Sequence, residues 1–491
     1  MITPAHKLYK TFSLLLALGL LISGCGTERP KYIIPASTQT AEEPLPTATP
    51  FNERPVYAPG TLVDYVAQSG DTLPILASRF GTTPQEILFS NPDIPKDITT
   101  LPPGYSMKMP IYYKPLWGTD FQIIPDSAFV YGPDVVDFDL PAFLDLTPGW
   151  FKHYKVQIQE KNRDAAGMIN YYAENYSINP KLLIALIEYQ TGALSNPQRD
   201  ASREAAFLGF ENDHEGVSLQ VSFVAELLND GFYRYQMGEL TSITHLSGVL
   251  ENIDPWQNPA TVALQHYFAL FLDGEDYLRA IGPDGLAKTF RALFGDPWQR
   301  NTTVIPGGLT QPRFILPFSP GTVWAYTGGP HTGWGELKPY AAIDFAPPLP
   351  TQGCVETEQY ALAVADGIVA RTDPGTVILD LDGDGDERTG WTILYLHIAA
   401  EGRVRVGTVL KQGDKIGHPS CEGGIATGTH VHLARRYNGQ WISAADQVLP
   451  FNLEGWIPVE GTAPYLGTLV RGNDVVTAST KSGPESMVPA D

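Results

Sequence analysis

A chain of 491 residues exceeds what one hydrophobic core usually organises and points to about three domains. Its 43% hydrophobic and 11% aromatic residues are the content of a globular protein. A formal net charge of -21 argues against a nucleic-acid partner, because displacing phosphate counterions needs a basic surface.

The N-terminus carries Lys7 and Lys10 ahead of an apolar run from Phe12 to Ile22. That run is too short to span a bilayer and has the proportions of a signal-peptide core. It ends in Leu21-Ile22-Ser23-Gly24-Cys25, which resembles the bacterial lipoprotein lipobox. The resemblance implies a signal peptide over residues 1–24 and diacylglycerol on the sulfur of Cys25. The protein would then be extracytoplasmic, anchored to a membrane by lipid and facing the cell wall. Of three cysteines, lipidation leaves Cys354 and Cys421 as a candidate disulfide, which an oxidising compartment permits. Residues 25–60 are rich in proline and threonine and read as an extended tether.

Residues 61–113 begin with Val63, Tyr65 and Val66 and the turn Ser69-Gly70-Asp71. Two short helices are predicted around Leu76, Ala77 and Phe80 and around Ile87 and Leu88, then a strand through Met107, Met109 and Ile111. This βααβ order, with Tyr-Val-Ala-Gln-Ser-Gly-Asp-Thr-Leu, Phe-Gly-Thr-Thr and Asn91-Pro92, resembles a LysM domain. The resemblance implies binding to the glycan of peptidoglycan, with Gly70, Asp71, Thr72, Pro92 and Asp93 as contact candidates. Tyr65, Leu76, Phe80, Ile87 and Leu88 are assigned to packing.

Residues 114–140 lack periodicity and are expected to be an irregular connector; an all-α domain is expected over 141–300. Asn179-Pro180 is a helix start, and Lys181 to Gln190 is apolar nearly all round, so that helix should be central. Further helices are predicted over 219–228, 261–272 and 287–293. The run Ile178 to Gly192 resembles the first motif of lysozyme-like lytic transglycosylases, whose acid glutamate sits where Gln190 stands here. Glutamine cannot protonate a glycosidic oxygen, and Glu188 is displaced about 200° around the helix. The domain is therefore expected to be a spacer or glycan-holding module.

Five of the ten histidines fall between His331 and His432, where the texture changes to short strands with glycine and proline turns. Runs at 360–364, 367–370, 376–381, 391–397 and 429–434 fit a mainly antiparallel β domain over 301–470. His430 and His432 alternate onto one strand face, about 7 Å apart. Two imidazoles plus a carboxylate make a common catalytic zinc set.

The pieces Gly328-Gly329-Pro330-His331, Ala342-Ile343-Asp344, Leu394-Tyr395-Leu396-His397 and Gly428-Thr429-His430-Val431-His432 resemble the M23 peptidoglycan metallopeptidases. Tyr340 occupies the position of the lysostaphin-like histidine, so the resemblance is to the beta-lytic branch, which takes its histidine from the upstream loop. It implies one zinc held by His331, Asp344 and His432, with His397 and His430 as the unliganded catalytic histidines. His418 has no matching role. Asp380-Leu381-Asp382-Gly383-Asp384-Gly385 imitates the start of an EF-hand loop, but Trp391 stands at the twelfth position, so an acidic hairpin turn is expected. The tail, 471–491, is expected to be disordered.

The assembled expectation is a tethered zinc endopeptidase acting on peptidoglycan. The alternative is a catalytically silent M23-like lipoprotein that activates or scaffolds wall amidases.

Overall fold

The computed structural model describes residues 55–112, 118–159, 161–201, 204, 206–210, 214–300 and 302–491. The expected signal peptide, Cys25 and the tether up to residue 54 lie outside them. Among the described residues no helix is long and apolar enough to cross a membrane.

Strand Thr61–Val66 pairs antiparallel with Ser106–Ile111, placing Tyr65 opposite Met107 and Val63 opposite Met109. Between them lie helices Leu73–Phe80 and Pro84–Ser90. Each starts on a threonine whose side chain accepts a backbone N–H, Thr72 from Ile75 and Thr83 from Glu86. The proline that follows has no N–H to leave unsatisfied. Tyr65, Leu76, Phe80 and Ile87 are buried in this unit's own core, and Leu88 is partly buried against it.

The middle region is mainly helical, with its longer helices at Ala165–Tyr176, Pro180–Thr191, Val217–Gln236 and Pro259–Ala269. It is not all-α as expected: Lys155–Ile158 pairs with Lys161–Asp164 and Ser242–Thr244 with Leu250–Asn252, strands too short to show alternation in the sequence. Leu182 to Ile187 are each at most 2% exposed, as an all-apolar helix requires. The stretch expected to be a connector belongs to this core. Ile123, Ile124, Phe129 and Val130 are buried in it, and Asp126 accepts hydrogen bonds from Asn258 and the amide of Ala260. Its helical turns, Asp126–Ala128 and Pro133–Val135, are too short to show a period.

The C-terminal region is built on a nine-stranded antiparallel sheet. Its central strands are Gly375–Asp380, Trp391–Ile398, Val431–Tyr437, Ala342–Ala346 and Val323–His331, in that spatial order. One face carries Ile343, Val377, Leu379, Ile393 and Leu433 into the region's own core. The other carries Ala342, Ile378, Leu394, Leu396 and Ala434 into the helical core. The sheet is thus buried on both faces.

The tail is ordered, contrary to expectation. Asp474–Thr477 pairs with Gly467–Arg471. Met487–Pro489 adds an edge strand to Val323–His331, with Val488 opposite Trp324 and fully buried. Strands of three or four residues carry too little alternation to be read from sequence.

Where helices meet sheet, charges are buried in pairs. Arg371 bonds Glu387 at 2.5 Å, and Arg436 reaches the Glu174 carbonyl at 3.0 Å and Glu387 at 3.3 Å. Burial, reinforced by Glu387 and Asp373 and opposed by Arg371, pushes the Glu174 carboxyl from 4.5 up to about 7. The folded chain therefore holds this proton more tightly than the unfolded one, and stability should fall as pH rises from 4.5 to 7. Glu174→Gln should flatten that slope, leaving the variant more stable than its parent at pH 8 by on the order of 2 kcal/mol. Urea unfolding at pH 5 and pH 8 measures it; equal slopes in the two proteins would remove Glu174 from the explanation.

Candidate metal centre

His331 ends its strand, Asp344 lies in the middle of the next, and His432 is opposite Asp344 in the antiparallel ladder. Leu396, the residue before His397, is opposite His432. The sheet therefore brings together residues spread over about a hundred positions. Bulges in the first ladder, between Tyr326 and Gly328 and between Gly328 and His331, re-aim the last of these side chains.

His331 Nε2 lies 3.0 Å from His432 Nδ1, and each is 3.3 Å from Asp344 Oδ1. All three residues are buried. The outer nitrogens are tied to carbonyls, His331 Nδ1 to Gly329 at 2.8 Å and His432 Nε2 to Gly333 at 3.3 Å. A nitrogen that donates outward leaves the other lone pair aimed inward. Asp344 Oδ1 is buried with no hydrogen-bond donor. Three acceptors facing one another without donors form a cation site by their chemistry, and the set of two nitrogens and one carboxylate oxygen suits zinc.

The other two histidines flank this triangle. His430 Nε2 is 3.8 Å from Asp344 Oδ2, and its Nδ1 bonds the Gly428 carbonyl at 2.7 Å. The rings of His397 and His430 are 4.5 Å apart, and His397 Nδ1 bonds the Glu422 carbonyl at 2.9 Å. Burial, with the neighbouring imidazoles of His430 and His432, lowers His397 to about 3, so it is neutral. Its φ of 64° is left-handed, a strained position for a side-chain-bearing residue. Cys354 and Cys421 are bridged. The bridge joins the loop that holds Thr429, through Gly353 and Val355, to the loop whose Glu422 carbonyl holds His397.

Residues invisible to sequence reasoning also shape the site. Tyr465 stacks on the His331 ring at 4.1 Å, delivered by the hairpin after Ile457–Glu460. Gly333 and Glu422 contribute backbone carbonyls, which have no residue signature. Ile425, 96% exposed, stands on the glycine-rich loop beside His397. His418 bonds the Gln359 carbonyl away from the cluster.

The other candidate positions are placed differently. Asp71 is 2% exposed and engaged by Tyr65, the Gln68 amide and Arg79, the last at 3.0 Å. Thr72 is a buried helix cap, and a side chain on Gly70 would meet Gln236 of the helical region. These three are buried in this arrangement, whereas Pro92 and Asp93 are exposed. The loop is conformationally specified by its own buried carboxylate, which sequence could not separate from a contact role. Arg79 also packs over Tyr235 at 4.2 Å. Asp71→Ala would strand that guanidinium in the interior, and a loss of about 3–5 kcal/mol is expected in thermal unfolding. An unchanged melting temperature would return Asp71 to the surface.

Glu188 accepts the amides of Leu194 and Ser195, closing the turn after its helix, and Gln190 accepts from the Tyr267 hydroxyl. Asp380, Asp382 and Asp384 have carboxylate oxygens within 4.8 Å of one another, but Asp380 is used by the amides of Gly383 and Gly385 in the turn between two strands.

Comparison with known proteins places this geometry in context. Residues 122–306 match the family model described as LasA, N-terminal domain. Protease LasA of Pseudomonas aeruginosa strain UCBPP-PA14 is 28% identical over 338 residues, 65% of this chain and 74% of the relative; the protein of strain PAO1 matches equally. Among solved structures, the M23 metalloprotease pseudoalterin, described as from the deep sea, is 22% identical with a TM-score of 0.29, covering 34% of this chain and 96% of its own. The antimicrobial peptidase lysostaphin from Staphylococcus simulans is 21% identical with a TM-score of 0.17, covering 30% of this chain and 61% of its own. The chain is thus similar to Protease LasA over most of its length, and its His331–Asp344–His432 cluster is a group that could hold a metal ion.

Proposed function

We propose that this protein is a zinc metalloendopeptidase that hydrolyses peptide bonds of peptidoglycan, lipid-anchored through Cys25 outside the cytoplasm. The observation that carries the reading is the convergence of His331 Nε2, Asp344 Oδ1 and His432 Nδ1 on one point, with His430 and His397 beside it. One zinc ion bound there supplies Lewis acidity for the scissile carbonyl and a water of lowered pKa.

The chain's own residues do the rest. His430, with Nδ1 committed to Gly428, presents Nε2 to take the proton of the attacking water. His397, neutral and with Nδ1 committed to Glu422, presents its other nitrogen to the same space as an acceptor that would orient the attacking water. Retention of the full set favours the enzyme over the silent amidase activator.

The 61–113 unit is proposed as the LysM module. With Gly70, Asp71 and Thr72 turned inward, its glycan contact falls on the exposed Pro92–Asp93 end. Tethering by lipid and by glycan would raise the local concentration of wall substrate.

The test is metal analysis and peptidoglycan digestion by residues 61–491. About one zinc per chain with new peptide termini supports the reading. Neither zinc nor termini would sink it and promote the activator.

A further inference from the structure

The stretch from Thr332 to Pro339 lies between two candidate ligands, His331 and Asp344, and the helical region grips it. Glu226, on helix Val217–Gln236, accepts the backbone amides of Glu336 and of Leu337, the second at 2.8 Å. A side chain on Gly335 would run into the Glu226 carboxylate at 2.7 Å and the Tyr176 ring at 2.9 Å, so the loop presses directly on two helices. Lys338 then bonds Glu239 of the helical region at 3.0 Å and Glu460 at 2.9 Å. At the near end of the same loop, the Gly333 carbonyl receives His432 Nε2 at 3.3 Å. Gly333 is fixed from behind by the Trp441 ring, which would lie 3.0 Å from an added Cβ, and Trp441 Nε1 donates to the Tyr176 carbonyl.

We infer that Glu226 is a positioning residue for the metal centre: it braces the 332–339 loop so that Gly333 orients His432. The helical region on this reading completes the site instead of only flanking it. The physical case is the fork of amides. Two adjacent N–H groups on an irregular loop would otherwise point at water or pair elsewhere, and a partly buried carboxylate accepting both fixes the loop's height above the sheet. Outer partners of a ligating histidine typically change metal affinity or activity 10- to 100-fold when removed. Glu226 acts one step further out, so an effect near about 10-fold is expected.

The inference rests on the zinc reading, and the experiment separates the two. The wild-type full chain, Glu226→Ala, Glu226→Asp and Glu226→Gln are loaded with zinc, and its transfer to a chromogenic chelator is timed alongside thermal unfolding. Glu226→Ala should release zinc about 10-fold faster. Glu226→Gln should stay near wild type, because its amide oxygen still accepts both N–H groups. Glu226→Asp, too short to reach the amides, should behave like alanine, and it replaces Ala should that variant fail to fold. Zinc release unchanged in both folded Ala and Asp variants overturns the inference while leaving the metal centre intact. A wild-type chain that takes up no zinc overturns both. A lowered melting temperature with unchanged release makes Glu226 purely structural, which also refutes the proposal.

Discussion

His432→Ala should abolish zinc binding and peptide cleavage together, whereas His430→Ala should slow cleavage sharply and keep the metal. The two histidines are two residues apart, His430 just before the strand Val431–Tyr437 and His432 within it, and equally able to bind a metal by residue type. Geometry separates them. His432 Nδ1 sits with His331 Nε2 and Asp344 Oδ1 at 3.0 and 3.3 Å, while His430 approaches only the other carboxylate oxygen, at 3.8 Å. Losing one of three protein ligands leaves two, too few for a stable zinc site. Losing a general base leaves the ion in place and slows the chemistry by about 10²–10⁴-fold. Zinc content by atomic absorption, read beside release of peptide termini from peptidoglycan, distinguishes the two outcomes. Zinc lost from both variants would make His430 a ligand and require a different base.

The second large effect concerns the Cys354–Cys421 bridge. Its 67-residue separation gives a chain-entropy contribution of about 4 kcal/mol. The Cys354→Ser/Cys421→Ser variant should therefore unfold at clearly lower guanidinium concentration. It should also lose activity beyond what unfolding explains, because the two joined loops position His397 and Thr429, next to His430. None of the three candidate ligands lies in those loops, so folded variant should still hold zinc. Full cleavage by the folded double variant would show that the loops keep their places without the bridge.

Sequence alone gave a good account of the sheet and of the histidines that cluster on it, for a physical reason. Candidate ligands on strands obey a period of two, and His430-Val431-His432 announces its face directly. The all-apolar helix at 182–187 was equally legible, since nothing but burial accommodates it. What could not be read depends on long-range contacts between irregular segments. Residues 121–130 look like linker because their partners, Thr261 and Asn258, lie more than a hundred residues away. Asp71 reads as a surface turn residue until Arg79 and Tyr65 are seen to enclose it. The strand Met487–Pro489 is recognisable only once its edge partner is known. Tyr465 and the carbonyls of Gly333 and Glu422 belong to loops whose course no local pattern specifies.

Ala342 and Ala434 belong to the helical core, yet each lies two residues from a candidate ligand on the same strand face. A floor shared in this way couples the melting of the two regions. Detaching the helices would uncover a strip of apolar sheet ending at the metal site, so the sheet has little reason to persist once they leave. Calorimetry of the 61–491 chain should accordingly show helical and sheet regions melting in one transition, with added zinc raising the temperature at which the distant helix Pro180–Thr191 is lost.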